Sequence, residues 1–560
     1  MESIAGLPRE GLTALDYLAV GGYLLITLAI VIWSLRRQSS IEDFFVGGRR
    51  MPWMAVGLSL MATLMSTISY LGVPGEMIKH GVAMFIGQLS IPLSMTVVLL
   101  LWVPFFMRLR LTSAYEYLER RFNYPARLLG GGLFLLLRLG WMTLVMYTAS
   151  LALAEMTRSA LPAAAVDPLA AWLNGDVTGT EAVLPLWRET FLFWVIGVVG
   201  LAATVYTALG GIRAVIWTDV LQFLMLFGGT WFILGYVLWT TGTGPTHWWA
   251  TVTAAAPEHT SPELFSFDVT TRVTIFTAIV SMFFWTICTH GSDQVVLQRY
   301  FSTSSLSAAR RSYIVSAIAD ISVNTLLALS GLALLSFYIE HPTYLPGGMD
   351  PVQSADRVMP YFFAHQLPAG LAGLILASFL CDAMQTLDSG VNSITAVTTK
   401  DVFERLFPGG SNLLKELTLA RLLTLVVGVA VTGLALALAY NVRHSGRNII
   451  DLMPRSFNMF LGPLASLFFI GMFLPRCTAR SALPAVLTGL AVSITWSYWH
   501  ELTGRDEIPT ITLAIAAPCV TALVTAAVLS VLVERRGHHP GRDFTWYAVM
   551  KRPVPPPTPR

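Results

Sequence analysis

Polar side chains interrupt one apolar, bilayer-length stretch of the sequence, from Leu376 to Asp401. The polar residues that interrupt it include Asp382, Gln385, Thr386, Asp388, Ser389, Asn392 and Ser393. Inserting carboxylates and hydroxyls into lipid is costly, so these groups are expected to face another helix or a cavity. At about 100° per residue, one polar stripe covers about one third of the helix circumference. It contains Asp382, Gln385, Thr386, Ser389 and Ser393. Such a stripe of oxygen atoms is typical of an ion or solute site.

The composition indicates a membrane protein. Of the 560 residues, 54% are hydrophobic and 12% are charged, whereas soluble domains carry about 25% charged residues. The mean hydropathy is +0.63. A helix needs about 20 residues to cross a hydrocarbon core of ~30 Å, which predicts about 13 transmembrane helices. They are placed at 13–35, 52–76, 84–106, 127–155, 189–208, 213–240, 271–292, 310–338, 368–396, 416–440, 448–474, 481–500 and 509–533.

The predicted fold class is therefore an all-α integral membrane protein without a separate soluble domain. Most Lys and Arg residues fall in one of two alternating sets of loops. The positive-inside rule then places the N-terminus outside and the C-terminus in the cytoplasm, in a cell (inner) membrane. The first apolar segment is too long for a signal-peptide core, so we expect it to be retained. The predicted parts are an N-terminal extra helix (1–36), a core (43–475), two C-terminal helices (481–533) and a cytoplasmic tail (534–560).

Two predicted spans have features of discontinuous helices. The second span carries Ser66, Thr67 and Ser69 at mid-depth, followed by Gly72, Pro74 and Gly75. The seventh ends in the polar run WTICTHGSDQ. Irregular backbone at membrane depth is tolerated only where it is buried in protein or lines a cavity. Because the two spans are five apart, we predict an inverted five-plus-five repeat (52–240 and 271–474) whose first helices are broken. The alternative is that both are polar helix ends near the membrane surface.

Six runs of sequence carry a family resemblance. They are DFFVGGRRMPW at 43–53, SAYEYLERRF at 113–122, YTALGGIRAVIWTDVLQF at 206–223, LQRYFS at 297–302, LDSGVNSITAVTTKDVFERL at 387–406 and GPLASLFFIGMFLP at 462–475. The chain resembles the sodium/solute symporter family, most closely the branch that carries iodide, vitamins and monocarboxylates. The resemblance implies a LeuT-like fold and alternating access driven by a sodium gradient. Na⁺ is the implied coupling ion, with a proton as the alternative.

The resemblance also implies an ion site between the first and the eighth core helices. In the family, two backbone carbonyls of the first helix join two adjacent hydroxyl residues of the eighth. The matching positions here are Ala62, Met65, Gln385 and Thr386, with the carbonyl of Asp382 one turn earlier. Gln385 stands where the family has a hydroxyl residue and Asp382 where it has a small residue. These two departures leave the ion and its stoichiometry open.

Three further residues lie near this implied site. Asp219, in the run WTDVLQF, matches a family acid that serves ion release or a second sodium. The alternative is an acid that caps a helix or pairs with Arg213. Ser389 lies on the same polar stripe as Thr386 and is counted among the predicted ion ligands. Asp388 points away from that stripe, so we interpret it as hydrogen bonded to a neighbouring helix.

For the solute, the resemblance points to three positions, which are Ser69, Gln88 and Asp293. Sugar-carrying relatives have Gln, Glu and Asn there. All three positions differ, which argues against an ordinary hexose carrier.

Two basic side chains are further candidates for solute binding. Arg138 falls near mid-depth of its span, where a charge is rarely left unpaired. It is interpreted as binding an anionic solute or as pairing with Asp320 or Asp382. His290 is interpreted either as a core histidine or as a ligand.

These interpretations favour a secondary transporter that couples sodium to uptake of a small polar organic solute, a carboxylate ahead of a neutral sugar or polyol. The alternatives are a sodium- or proton-coupled sugar or polyol symporter and a membrane sensor built on the same core. An intramembrane enzyme is not expected, because no metal-ligand spacing such as H-E-x-x-H and no nucleophile motif occurs. The expected partners are the solute and the lipid bilayer, without a nucleic acid, and the oligomeric state stays open.

Overall fold

Helices provide the regular structure of the protein. The computed structural model describes residues 12–35, 41–157, 180–268, 270–345, 350–399, 401, 413–445, 453–505, 509–534 and 540–554. Some side chains within these ranges, including those of Cys381 and Asp382, lie outside the description. Over these ranges the β contacts amount to one isolated bridge between Met51 and Thr303.

The first half of the chain supplies six long apolar or broken helices. They are α1 (Ala14–Leu35), α2 (Trp53–Leu64), α3 (Thr67–His80), α4 (Phe85–Leu109), α5 (Tyr124–Thr157) and α6 (Thr180–Thr241). Helix α6 is interrupted at Gly211, whose torsion angles are φ 58° and ψ −179°. Only glycine adopts this conformation readily. The interruption separates the candidate membrane span Gly211–Thr241 from the shorter apolar segment Phe191–Val205.

The second half continues with helices of similar length. They are α7 (Ile275–Ser292), α8 (Gln294–Phe301), α9 (Leu306–Glu340), α10 (Leu371–Thr398), α11 (Leu413–Ser445), α12 (Met459–Phe473), α13 (Ala479–Ser497) and α14 (Ala516–Leu532). Short connecting helices lie at Ile41–Val46, Glu116–Arg121, Pro245–Ala255, Ala355–His365, Trp499–Thr503 and Trp546–Val549.

Each predicted span corresponds to a helix. In the described part of the chain, 9 helices are long and apolar enough to cross a membrane, and α2 with α3 passes the same test as a pair bent by 62°. The other predicted spans correspond to the shorter apolar segments Phe191–Val205 and α14 and to α13. The predicted all-α membrane fold is confirmed.

The first discontinuity lies at Met65 and Ser66, between α2 and α3. Both residues have extended backbone torsion angles, with φ −83° and ψ 149° at Met65 and φ −147° and ψ 170° at Ser66. The sequence predicted a broken helix here and the structure confirms it. The break precedes Pro74, which stays inside α3. A proline within a membrane helix is tolerated when neighbouring groups satisfy the freed backbone.

The second discontinuity is a single residue, Asp293, between α7 and α8. Its backbone is extended, with φ −82° and ψ 120°. Its carboxylate Oδ1 accepts a hydrogen bond from the backbone N–H of Val295 at 2.9 Å and so caps the N-terminus of α8. This break lies in the polar run WTICTHGSDQ at the end of the seventh predicted span, five spans after the first.

Helix α10 runs antiparallel to α2 and packs against both α2 and α3. Just beyond the end of α10, the carboxylate of Asp401 accepts a hydrogen bond from Ser113 at 3.0 Å. Ser113 and Leu111 belong to one loop after α4. Arg49, which precedes α2, donates to the carbonyl of Leu111 at 3.0 Å. Because α10 ends on the side where α2 begins, the two helices run in opposite directions.

The cysteines behave as packing residues wherever the structure describes them. Cys288, Cys477 and Cys519 are buried and unpaired. Burial raises the pKa of the Cys477 thiol, which lies between α12 and α13, to about 12.

Candidate ion and solute site

The break between α2 and α3 leaves main-chain oxygen atoms without hydrogen bonds. The extended backbone of Met65 and Ser66 interrupts the helical hydrogen-bond ladder. As a result, the carbonyl oxygens of Ala62 and Met65 accept no hydrogen bond from the described residues. Both residues are buried. These are the two carbonyls that the family resemblance assigned to the coupling ion.

Two buried side chains of α10 also have polar atoms without partners. Among the described residues, nothing bonds the hydroxyl of Thr386 or either side-chain polar atom of Gln385. The side chains are 4% and 0% exposed. Leaving a buried polar atom unpaired costs about 1–3 kcal/mol, so such atoms mark places where a ligand would supply the partner. The side chain of Asp382 lies outside the described residues.

Arg299 of α8 fixes the position of α10 relative to α2. Its Nη2 donates to Oγ of Ser389 on α10 and to Oδ2 of Asp219 on α6, at 2.8 Å each. Its Nε donates to Oγ of Ser59 on α2, also at 2.8 Å. Both members of the Arg299–Asp219 ion pair are fully buried. One guanidinium therefore joins three helices, and we call this group of four residues the Arg299 hub.

The hub identifies the partner of Asp219, whose role in ion release stays a prediction. Its Oδ2 accepts hydrogen bonds from Arg299, from Ser59 at 2.5 Å and from Thr63 at 3.3 Å. The acid is thus a member of a buried ion pair, with Arg299 and not Arg213. Arg299 in the LQRYFS run could have indicated this ion pair from the sequence, because an arginine within the membrane needs a counterion.

Ser389 is likewise engaged by the hub. Its hydroxyl accepts from Arg299 and donates to Oδ1 of Asp388 at 3.2 Å. The Asp388 carboxylate therefore accepts a hydrogen bond within α10, and its predicted hydrogen bond to a neighbouring helix stays a prediction. The geometry gives Ser389 a structural role beside any contact with an ion.

The hub also sets the level of the unbonded oxygen atoms. Ser59 lies one turn before Ala62 in α2, and Ser389 lies one turn after Thr386 in α10. Because the helices are antiparallel, one turn forward along α2 and one turn backward along α10 lead in the same direction from the guanidinium. Each step is about 5.4 Å, so Thr386 comes level with Ala62. Carbonyl, hydroxyl and amide oxygens are ligands that hard cations prefer. The residues present therefore fit a sodium ion.

A cavity of ≈ 310 Å³ lies against the same break, and we call it the main cavity. Met65 and Ser69 border it beside the break, and Gln88 of α4 borders it from the opposite helix. The side-chain oxygen of Gln88 is buried and has no partner in the described part of the chain. Ser69 and Gln88, both predicted to contact the solute, thus share one cavity.

A smaller cavity of ≈ 20 Å³ adjoins the main cavity. The two share the side chains of Leu64, Trp141, Trp285 and Phe457 as a wall. Arg138 and Asp293 line the smaller cavity. The remaining pair of charged solute candidates therefore lies behind the aromatic wall of the main cavity.

Arg138 pairs with Asp293, a partner that the sequence interpretation did not consider. Nε of Arg138 donates to Oδ1 of Asp293 at 3.3 Å, and Nη2 donates to Oδ2. The side chains are 6% and 2% exposed. The expected pairing of Arg138 with Asp320 or Asp382 is corrected accordingly. Nη1 of Arg138 has no protein partner among the described residues, so one edge of the guanidinium stays available.

His290 is placed as a core histidine. Its Nδ1 lies 2.6 Å from the hydroxyl of Tyr300, and its ring packs edge-on against Tyr313. It borders neither the main nor the smaller cavity. Of the two interpretations of this residue, the structure supports the packing role and corrects its assignment to the solute.

The main cavity contains charged residues that were not predicted to belong to the site. Arg272 donates to both carboxylate oxygens of Glu76, at 2.5 and 2.9 Å. Its side chain is 36% exposed and marks the solvent-facing rim. Asp320 of α9 also borders the cavity and accepts a hydrogen bond from Asn324 at 3.0 Å. In the sequence, Asp320 stands out as an acid within the eighth predicted span, and it was considered there only as a partner for Arg138.

Comparison with known proteins identifies the family. A model of the sodium:solute symporter family matches residues 44–159 and 192–489, which is most of the chain. The chain belongs to the sodium:solute symporter family. The resemblance found in the sequence is confirmed, and the family consists of transporters and not of enzymes.

Individual relatives cover nearly the whole symporter. The sodium/sialic acid symporter NanT of Aliivibrio fischeri is 29% identical over 490 residues, covering 88% of this chain and 89% of the relative. The human sodium/iodide cotransporter is 30% identical over 549 residues, covering 94% of this chain and 77% of the relative. The solved structure of a substrate-bound, outward-open Na⁺-coupled sialic acid symporter superimposes with a TM-score of 0.76 at 25% identity, covering 94% of this chain and 100% of that one. The chain is a multi-pass, sodium-coupled solute symporter with a LeuT-like fold.

Proposed function

We propose that the symporter carries a small polar organic solute with a carboxylate group and binds its sodium ion at the break between α2 and α3. The observation that carries the ion assignment is the pair of unbonded carbonyls at Ala62 and Met65, at the level of the unbonded Thr386 hydroxyl. Gln385 adds an amide oxygen beside them. Asp219 and Ser389 support the site through the Arg299 hub.

A carboxylate on the solute is supported by Arg138. Its Nη1 edge is free of protein partners in the described residues, and a guanidinium binds a carboxylate with good geometry. Relatives named for sialic acid, which is a carboxylated sugar, agree with this choice. Ser69 and Gln88 would contact the polar remainder of the solute in the main cavity.

We further propose a cell-membrane location with the N-terminus outside and the C-terminus in the cytoplasm. The basis is the excess of Lys and Arg in one set of loops. In this orientation, the rim at Arg272 faces outward, as the solute would approach from the medium.

Uptake should require sodium, and Thr386→Ala should weaken sodium binding at least tenfold at saturating solute. The variant removes one of the oxygen atoms level with the Ala62 carbonyl. The measurement is uptake of a labelled solute into proteoliposomes at several sodium concentrations, with choline as the replacement cation at fixed pH.

Thr395→Ala provides a matched control for this measurement. Thr395 lies on the same helix and is buried, but its hydroxyl already bonds that of Thr424 at 3.2 Å. The control should keep the sodium dependence of the wild type. Equal uptake in sodium and choline buffers, or an equal change in both variants, would contradict the proposed ion site.

Arg138→Gln should abolish stabilisation of the protein by carboxylate solutes. A ligand raises stability by RT ln(1 + [L]/Kd), so thermal melting in sodium buffer reports its binding. Arg455→Gln removes an equal charge from a residue paired with Glu501 and should bind as the wild type does. Stabilisation by neutral sugars alone, unchanged in Arg138→Gln, would instead support the sugar or polyol alternative.

A further inference from the structure

The main cavity has three ionisable residues in its wall, and two of them neutralise each other. They are Glu76, Arg272 and Asp320. The Glu76–Arg272 pair is bidentate, with N–O distances of 2.5 and 2.9 Å. Among the described wall residues, Asp320 is then the ionisable residue without an oppositely charged partner.

Asp320 has no cationic partner in the described part of the chain. Its side chain bonds the Nδ2 group of Asn324, one turn along α9, at 3.0 Å through Oδ1. Arg138, which the sequence analysis considered as its counterion, is paired with Asp293. A carboxylate at membrane depth is costly unless a cation or several donors compensate it.

The surroundings of Asp320 suit an organic cation. Trp141, Trp285 and Phe457 form the wall that the main cavity shares with the smaller one. The faces of aromatic rings attract ammonium groups. The unpaired side-chain oxygen of Gln88 borders the same cavity and can accept a hydrogen bond from an N–H donor.

We propose that Asp320 binds a positively charged amino group of the solute, held in place by the Asn324 amide as a positioning residue. The carried molecule then bears an ammonium group as well as a carboxylate. This inference rests on the proposed function and narrows its solute class to amino-bearing carboxylates.

A sodium ion is the other source of positive charge at Asp320, and the experiment must separate the two. The solute probes are matched pairs that differ only in an amino or a hydroxyl group at the same carbon: alanine and lactate, serine and glycerate, phenylalanine and phenyllactate. Binding is measured by thermal melting of the purified full-length protein in sodium buffer. Sodium is titrated separately, without solute, against choline.

At least one amino acid should stabilise the wild type with a Kd at least tenfold below that of its hydroxy acid. Asp320→Asn should lose this preference while keeping its response to sodium. Asp268→Asn removes the same charge from an exposed loop and should retain the preference. Asp320→Glu keeps the charge and should retain a weakened preference, which covers the case in which the Asn variant folds poorly.

Two results would overturn the inference. One is the absence of any amino-acid preference in the wild type, or a preference that persists in Asp320→Asn. The other is loss of the sodium response in that variant, which would assign Asp320 to the ion. Sodium-dependent binding of hydroxy acids without a preference for amino acids would contradict the inference but agree with the proposed function. Sodium-independent uptake would contradict the proposed function.

Discussion

Replacing Asp219 with Asn should destabilise the protein by about 3–5 kcal/mol, because it leaves the guanidinium of Arg299 buried without its counterion. Both side chains of this pair are 0% exposed, and the charged groups lie 2.8 Å apart. The same guanidinium also holds Ser59 and Ser389, so α2 and α10 should lose their fixed register. The measurement is the free energy of unfolding in detergent, together with sodium affinity from melting curves.

A double variant separates the ion pair from an ion-binding role. Replacing both partners, as Asp219→Asn with Arg299→Met, should recover part of the lost stability, because no charge is then buried unpaired. Asp268→Asn again controls for the change in net charge. If Asp219→Asn keeps wild-type stability but slows release of the ion, the acid is an ion ligand, as the sequence first suggested.

Adding a single methyl group at Gly57 should destabilise the fold by about 1–3 kcal/mol, in the range of overpacked cores. A Cβ atom at this position of α2 would lie 2.5 Å from the backbone oxygen of Ser312 and 2.8 Å from Cβ of Val315, both on α9. A backbone oxygen cannot rotate away, so α2 must shift. Because α2 carries the Ala62 carbonyl, Gly57→Ala should also weaken sodium binding.

Gly132→Ala is the matched control for this prediction. Gly132 lies inside α5 and has nothing within 4 Å of an added Cβ atom. There, alanine should be neutral or stabilise the helix by about 0.5–1 kcal/mol. Equal melting temperatures and sodium affinities for the two variants would show that α2 and α9 adjust to the extra atom, and the close approach would then have no role in the ion site.

The positions of the helices could be predicted because membrane insertion depends on a local property, the hydropathy of about 20 consecutive residues. The first broken helix could be predicted for a similar reason, since hydroxyl residues and Pro74 lie close together in sequence. The place of the break could not. Pro74 lacks an N–H yet stays helical inside α3, while the chain opens at Met65 and Ser66.

The pairing of charges is where sequence reasoning failed. Arg138 lies 155 positions from Asp293, and Arg299 lies 80 positions from Asp219. Several acids could satisfy each arginine, and only the packing of the helices selects one. Asp320 was considered only as a counterion, because a single acid in a span shows nothing of the cavity that it borders. Ser69 and Gln88, singled out by resemblance, border the main cavity, and their contact with the solute stays a prediction.

The burial of the cysteines gives the symporter an almost silent background for site-specific labelling. Maleimides react with accessible thiolates, and Cys288, Cys477 and Cys519 are each no more than 1% exposed. Cys381, whose side chain the structure does not describe, is the one to replace first. A cysteine introduced at Phe267, which is 93% exposed in the loop preceding the Arg272 rim, would then carry a fluorophore alone. Its emission would follow movement at the mouth of the cavity as sodium and solute are added.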